Sequence, residues 1–502
     1  MRANGLGKDI DLAPSASAAP VASTATKRRR LRLLLGLLGP LALVFVVPFP
    51  AGTPALPDLV SGRMAFESES TGRLLAGAAE VELTPEPGGP IAGYPAPRRA
   101  LGPGARMAAR ALVLHAGDLQ VAVVSLPVLL ISPDLEERVL QLSNLGPRAC
   151  LLLAATHTHS GPGGYWQSPL GVIGATGAFS AERRDALASA AVQAMAQARA
   201  QTRPARLAVA QADWAQGPAS PRGPHVLDPA LSAVQALDAA GRSIGLLAIY
   251  GMHPTVISRA QRTLSGDWPE AAARALEQAG SGPALVLQGA GGDATWPRGG
   301  SSGLVDSLRE GLGSGASLGP ALTSDEAEAH RLGAKVALRA LALLSGKLPS
   351  ALPGSEAAGA PSRDADETPL PVRLACSVKL VALPAPEGGR SLVYPLRTAA
   401  TNLLRLLAPR AALQTTLDLP GLRLVGVPGE PVGELGLLAR AGSAVPLSVV
   451  GLADGYAGYA ETRARAERGE GESSRTWYGT GLAAALGLEP REPLEWREPG
   501  KR

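Results

Sequence analysis

Ala149-Cys150-Leu151-Leu152-Leu153-Ala154-Ala155-Thr156-His157-Thr158-His159-Ser160-Gly161-Pro162-Gly163-Gly164-Tyr165 is the stretch on which the fold turns. An uncharged apolar run of one strand's length stops at two histidines and passes at once into a glycine-rich loop. Working outward, the same grammar recurs. Strand candidates occupy residues 120–131, 149–155, 205–210, 243–251, 283–288, 374–382, 422–427 and 446–452. Helical patterns occupy residues 133–142, 181–201, 268–278, 324–344 and 431–441, with Ser132-Pro133, Ser180 and Ser324-Asp325 as helix starts whose side-chain oxygens can satisfy free amides. Short apolar runs alternating with helices predict an α/β fold, a mixed β-sheet core flanked by helices, with the site in loops at the strand ends.

Composition bounds the function. The chain has 502 residues, enough for one large domain or two, and its 46% hydrophobic content supplies a real core. Aromatic residues are only 3%, against 60 glycines and 44 prolines, so clusters of Tyr, Trp or His stand out. The net charge of +5 owes much to Lys27, Arg28, Arg29, Arg30 and Arg32. The remainder carries no basic stripe with interleaved aromatics, which sets nucleic acid aside as a partner. That basic run precedes an apolar stretch at 33–47, and residues 28–52 read as an export signal or a signal anchor. Residues 1–27 are then a disordered cytoplasmic tail, the membrane is engaged through residues 33–52, and the bulk of the chain is anchored or secreted outside the cytoplasm. Residues 72–490 form the expected catalytic region, with a flexible Pro/Gly/Ser-rich insertion at 348–371. Cys150 and Cys376 are too few for a disulfide framework and read as isolated buried thiols, with pairing in an oxidising compartment left open.

Five loops carry groups capable of chemistry. His157 and His159, two apart after a strand, would point the same way and could share a metal, or one could bind while the other moves a proton. The bland alternative is a surface loop with incidental histidines. His253 follows the apolar run 246–250, and a lone histidine there is as readily structural. The strand at 284–288 enters Gly289-Ala290-Gly291-Gly292-Asp293-Ala294-Thr295, whose small residues admit close approach while Asp293 and Thr295 offer a carboxylate and a hydroxyl. Glu430 follows the run 422–427 and could equally begin a helix, where negative charge is favoured. Tyr456 and Tyr459 follow the run 446–452 and could equally seal a core. Spacing alone does not bring these loops together.

The strings that carry these groups resemble the neutral ceramidase family, zinc amidases that cleave the acyl chain from ceramide. Residues 156–165 are the most specific part. Val81 to Pro85, Gly93-Tyr94, Ala108 to Ala111, His253-Pro254-Thr255, Ser265-Gly266-Asp267, Gly292-Asp293, Pro428-Gly429-Glu430 and Tyr456 to Tyr459 follow in the family's order, over about residues 77–479. The residues beyond leave no room for the family's common C-terminal immunoglobulin-like domain. The resemblance implies a Zn²⁺ ion held by His157, His253, Glu430 and Tyr459, with His159 beside it as a proton carrier or oxyanion contact. Thr295 stands in the place of the family's serine nucleophile. The implied substrate is ceramide or a ceramide-like acyl amide. Three positions depart from the family pattern: Thr295 for serine, Gly471-Glu472 for a tyrosine-glutamate pair, and Leu126-Pro127 where an aspartate often stands. These departures keep two other readings in view, a hydrolase of the same fold acting on a different amide or ester, and an envelope protein that binds zinc without catalysis.

Overall fold

The computed structural model describes residues 66–83, 85, 87–94, 98–102, 104–215, 217–223, 225–296, 324–348, 350, 371–388 and 396–489. The tail at 1–27 and the basic and apolar segment at 28–52 lie outside the described residues, as does nearly all of the expected insertion at 348–371. Among the described residues no helix is long and apolar enough to cross a membrane.

Three sheets form the mixed α/β framework. One runs, in spatial order, through Ala149–Ala155, Leu119–Leu126, Met107–Ala116, Leu74–Leu83 and the short Arg203–Pro204. The second runs through Ala284–Gln288, Ser243–Tyr250, Ala230–Leu237 and Arg206–Asp213. The third runs through Phe66–Gly72, Val372–Ala382, Ala411–Leu419, Leu422–Val427 and Leu447–Gly451. Neighbouring strands are antiparallel except for a single pair in each sheet. Leu119–Leu126 lies parallel to Ala149–Ala155, Ser243–Tyr250 to Ala284–Gln288, and Leu422–Val427 to Leu447–Gly451. Parallel neighbours release their chains at the same end, so each pair delivers two loops to one side of its sheet.

The sequence forms these strands because they are covered on both faces. Along Leu119–Leu126, Val121 and Val123 enter a central core shared by all three sheets, with Leu247 and Leu285 from the second and Leu417 and Leu424 from the third. The intervening Ala122 and Val124 face a separate core against the helix Ala181–Ala200. Burial on both sides makes the run continuously apolar rather than alternating. A third core holds the helices Asp267–Gln278 and Ser324–Leu344 against the outer face of the second sheet. Ser132 and Ser180 cap their helices as expected, accepting from Leu135 N at 3.3 Å and Arg183 N at 3.4 Å.

Several expectations are corrected. The strand predicted over 120–131 ends at Leu126, where Pro127 can no longer donate to a ladder, and the apolar residues that follow pack as a buried loop. The helix predicted from Pro431 starts at Gly433; Glu430–Pro431 instead forms a short strand. Cys150 and Cys376, read as separate thiols, form a disulfide with Cα atoms 6.4 Å apart, joining the first sheet to the third. Their distance in sequence, 226 residues, carries no trace of this neighbourhood.

Candidate functional site

The loops leaving the three parallel pairs meet. Ala155 N donates to Leu452 O at 3.0 Å and Asp454 N to Leu153 O at 3.0 Å, which locks the first sheet's exit to the third's. The buried Asp454 carboxylate tightens this junction by accepting from Leu153 N and Thr415 N. Gln288 Nε2 donates to Thr156 O at 3.0 Å, tying the second sheet to the first. Gly292 N donates to Pro431 O at 2.8 Å, and a Cβ on Gly292 would lie 2.7 Å from Glu430 O, so only glycine lets the second and third sheets' loops touch.

Five side chains converge at this junction. His157 Nε2 lies 3.1 Å from His253 Nε2 and 3.1 Å from Glu430 Oε2. His253 Nε2 lies 3.2 Å from Glu430 Oε2 and 3.1 Å from Tyr459 Oη, and His159 Nε2 is 3.4 Å from His157 Nε2. The sequence expected His157 and His159 to share a side through strand alternation. The strand has already ended, however, and His157 takes a left-handed φ of 68°. A residue without glycine's freedom holds that conformation only where its surroundings impose it. Glu430 and Tyr459 meet for a plainer reason: Glu430–Pro431 pairs in parallel with Tyr459–Ala460, with Glu430 opposite Tyr459.

The hydrogen bonds around the rings reveal what they can do. His157 Nδ1 lies 2.7 Å from Leu129 O and His253 Nδ1 lies 2.9 Å from Gly291 O. A carbonyl only accepts, so both Nδ1 atoms carry the proton and each neutral ring presents a bare Nε2 lone pair. Two such lone pairs 3.1 Å apart repel unless a cation lies between them. Glu430 Oε2, aimed at the same point, is buried without a hydrogen-bond donor. Separations of 3.1 to 3.2 Å among His157 Nε2, His253 Nε2 and Glu430 Oε2, and 3.1 Å from His253 Nε2 to Tyr459 Oη, match the ~3.3 Å edge of a tetrahedron with ~2 Å metal–ligand bonds. A small cavity of about 10 Å³ lies behind His157, His253 and Glu430, walled by Gln288, the glycines 289, 291 and 292, Pro431, Gly451 and Leu452. The cluster is compatible with a bound metal.

Its electrostatics agree. Burial pushes His253 down to about 4, and burial together with His157 and His253 holds His159 well below its ordinary value. Burial alone would raise the Glu430 carboxyl, but positive charge placed at the His157 and His253 nitrogens holds it well below the usual carboxylate range, so the oxygen stays ionised against a cation there. Burial and the Glu430 charge raise Tyr459 above an ordinary phenol. Neutral imidazoles and a carboxylate are the protonation states a cation requires.

Among the described residues, two expected side chains make no hydrogen bond to the cluster. Thr295 is half-buried in a two-residue strand paired with Ser220, and it is the carbonyl of the preceding Ala294 that meets the histidine loop, accepting from His253 N at 3.0 Å. Among the described residues no hydrogen bond joins the Thr295 hydroxyl to the five-residue cluster. Asp293 is fully buried and caps the helix at Gly433, accepting from Gly433 N at 2.8 Å, so its carboxylate serves the scaffold. Gly471 has φ 60°, and a Cβ there would press on the side-chain ends of Glu461 and Arg465, so a tyrosine would sit strained and displace that pair.

Other residues escaped the sequence reading as site members. Tyr456 Oη donates to Glu430 Oε1 at 2.7 Å and orients the carboxylate. Arg222 donates to Tyr459 Oη at 3.3 Å and to Gly292 O, and pairs with Glu472 at 3.1 Å. Tyr94 packs edge-on against His159, ring centres 5.3 Å apart. Tyr456 and Tyr94 lay inside conspicuous strings, whereas nothing around Arg222 distinguishes it.

Comparison with known proteins agrees with this architecture. The neutral ceramidase crystal structure from Pseudomonas aeruginosa superposes with a TM-score of 0.64 at 18% identity, covering 83% of this chain and 73% of that one. A ceramidase described as complexed with C2 superposes with a TM-score of 0.61, again at 18% identity and with the same coverage of both chains. These likenesses concern the fold. In sequence, residues 76–289, which hold the second sheet, both histidine loops and all of the first sheet but Leu74 and Leu75, match the N-terminal part of the neutral/alkaline non-lysosomal ceramidases, and it is this family that the chain resembles.

Proposed function

We propose that this chain is an exported zinc-dependent amidohydrolase that cleaves the N-acyl bond of ceramide or a ceramide-like lipid. The observation that carries the proposal is the pair of histidines whose Nδ1 protons are committed to Leu129 O and Gly291 O, leaving two Nε2 lone pairs and the Glu430 oxygen aimed at one point. His157, His253, Glu430 and Tyr459 would hold the ion, and nitrogen and oxygen donors of this kind suit Zn²⁺. When bound, the ion supplies Lewis acidity, polarising a carbonyl and making a water acidic enough to attack near neutral pH.

The chain's own residues do the rest. Leu129 O and Gly291 O fix the two ring tautomers, and Tyr456 fixes the carboxylate. His159, held neutral by burial, has a nitrogen ready to take a proton from the attacking water and return it to the departing amine. Across the reaction the C–N bond breaks, hydroxyl goes to the acyl carbon and a proton to the nitrogen. Thr295 is assigned no step, since its hydroxyl is not joined to the cluster. The Cys150–Cys376 disulfide supports a location outside the reducing cytoplasm, in keeping with the basic and apolar run at 28–52.

One observation favours a second reading, an amidase or esterase of the same fold with a different acyl substrate: Gly471, in a left-handed conformation against Glu461 and Arg465, stands where the resemblance places a tyrosine. Elemental analysis of the purified protein, paired with fatty-acid release from fluorescent ceramide and from a panel of acyl amides and esters, separates the two. One equivalent of zinc with ceramide cleavage is expected. Zinc with cleavage of another acyl compound alone selects the second reading, and retention of zinc by His157→Ala overturns both.

A further inference from the structure

On its His159 side the cluster opens past positive charge that nothing balances. His157 and His253 are buried, His159 and Tyr94 are half-buried and Arg259 is exposed, so this row of side chains leads outward to solvent. The guanidinium of Arg98 lies 4.7 Å from the centre of the Tyr94 ring, and that of Arg259 lies 6.0 Å from it. Arg98 is only 6% exposed and donates to Ala92 O, His159 O, Arg259 O and Gln261 O, while its Nε is buried without an acceptor. Carbonyl oxygens engage its donors but do not neutralise its charge.

The two loops concerned, residues 87–107 and 254–266, carry Arg98, Arg99, Arg106, Arg259 and Arg262 and no aspartate or glutamate. Arg106 pairs with Glu80 and Glu82, whereas neither Arg98 nor Arg259 forms an ion pair among the described residues. Asp325 reaches the second loop, but it accepts from Ser258 N at 2.8 Å. The other tyrosine of the cluster shows the balanced arrangement. Arg222 and Arg475 lie 5.8 Å and 5.6 Å from the Tyr459 ring centre, and both pair with Glu472, at 3.1 Å and 2.9 Å. We propose that Arg98 and Arg259 form an anion subsite beside His159, and that the acyl amide cleaved here carries a carboxylate or a phosphate within a few bonds of the scissile amide. A guanidinium stacked on a ring keeps its in-plane N–H donors free for such a group. Arg259 supplies those donors, and Arg98, whose donors are already engaged, supplies buried charge behind them. The inference rests on the amidase reading and narrows its substrate, since a neutral amide leaves both charges unbalanced.

The test gives the zinc-loaded full-length protein three soluble hexanoyl amides, those of glycine, phosphoethanolamine and ethanolamine, and follows the released amine, with ceramide run beside them. The glycine or the phosphoethanolamine amide should exceed the ethanolamine amide in kcat/KM by about tenfold or more, mainly through KM, and the faster of the two identifies the anion. Arg259→Gln should reduce that advantage to about twofold with zinc still at one equivalent, and Arg259→Lys should keep more of it. Equal kcat/KM for charged and neutral amides overturns the inference, as does an advantage left intact in Arg259→Gln. Cleavage of ceramide alone overturns it too while the amidase reading stands. Release from none of the four compounds overturns the amidase reading and the inference with it.

Discussion

The ion cradle and the loop carrying Thr295 lie within a few residues of one another, yet they are built differently. In the cradle every donor is fixed from behind, His157 by Leu129 O, His253 by Gly291 O, Glu430 by Tyr456, and Tyr459 by its ladder position and Arg222. Thr295 has a two-residue ladder with Ser220 and no bond to the cradle among the described residues. A binding site must hold its geometry against repulsion between like lone pairs, which takes a rigid surround. The contrast teaches that preservation of the cradle says little about preservation of the groups around it.

The largest way to break the comparison is at the cradle. His253→Ala should reduce zinc from one equivalent to near zero and lower kcat/KM by more than ~100-fold, as read by elemental analysis and amide-release kinetics. Tyr456→Phe leaves the donors in place and removes only the bond to Glu430, so a smaller weakening of zinc affinity is expected, about 10- to 100-fold in a chelator competition. Thr295→Ser sharpens the other side: with the methyl group gone, zinc content should stay constant while turnover rises by at most roughly tenfold. A much larger gain would make the hydroxyl a participant in the reaction.

The smallest expected effect lies outside both regions. Asp267 is buried at the start of a helix, and burial raises its carboxyl to about 6 despite bonds from Ile257 N and Trp268 N. A carboxyl with a raised folded value stabilises the fold in its protonated form. That contribution is present below about pH 4 and is gone by about pH 6. Asp267→Asn should therefore flatten the fall in melting temperature between pH 4 and pH 6 and leave zinc content unchanged.

The parts of this design legible in the sequence were those with local signals. Apolar runs ending in Gly, Pro or His marked the exits at Ala155, Tyr250, Gln288, Val427 and Gly451, and four of the five loops that follow supply the cradle's side chains. The long strands Met107–Ala116 and Ala230–Leu237 were missed. Ala- and Leu-rich strands buried on both faces show no alternation and read as easily as helix. Glu430 was ambiguous because a carboxylate before an apolar pattern is an ordinary helix start, and its short strand exists only through its partner at Tyr459. The disulfide and Arg222 were invisible because each depends on contacts between segments far apart in the chain.

The donors of the cradle hang from three different sheets, His157 from the first, His253 from the second, Glu430 and Tyr459 from the third. A cation bound there would be a keystone as well as a reagent. Chelation should loosen the three sheets from one another together, so the metal-free protein melts at a lower temperature, by an amount that grows with how far the free ion exceeds its dissociation constant.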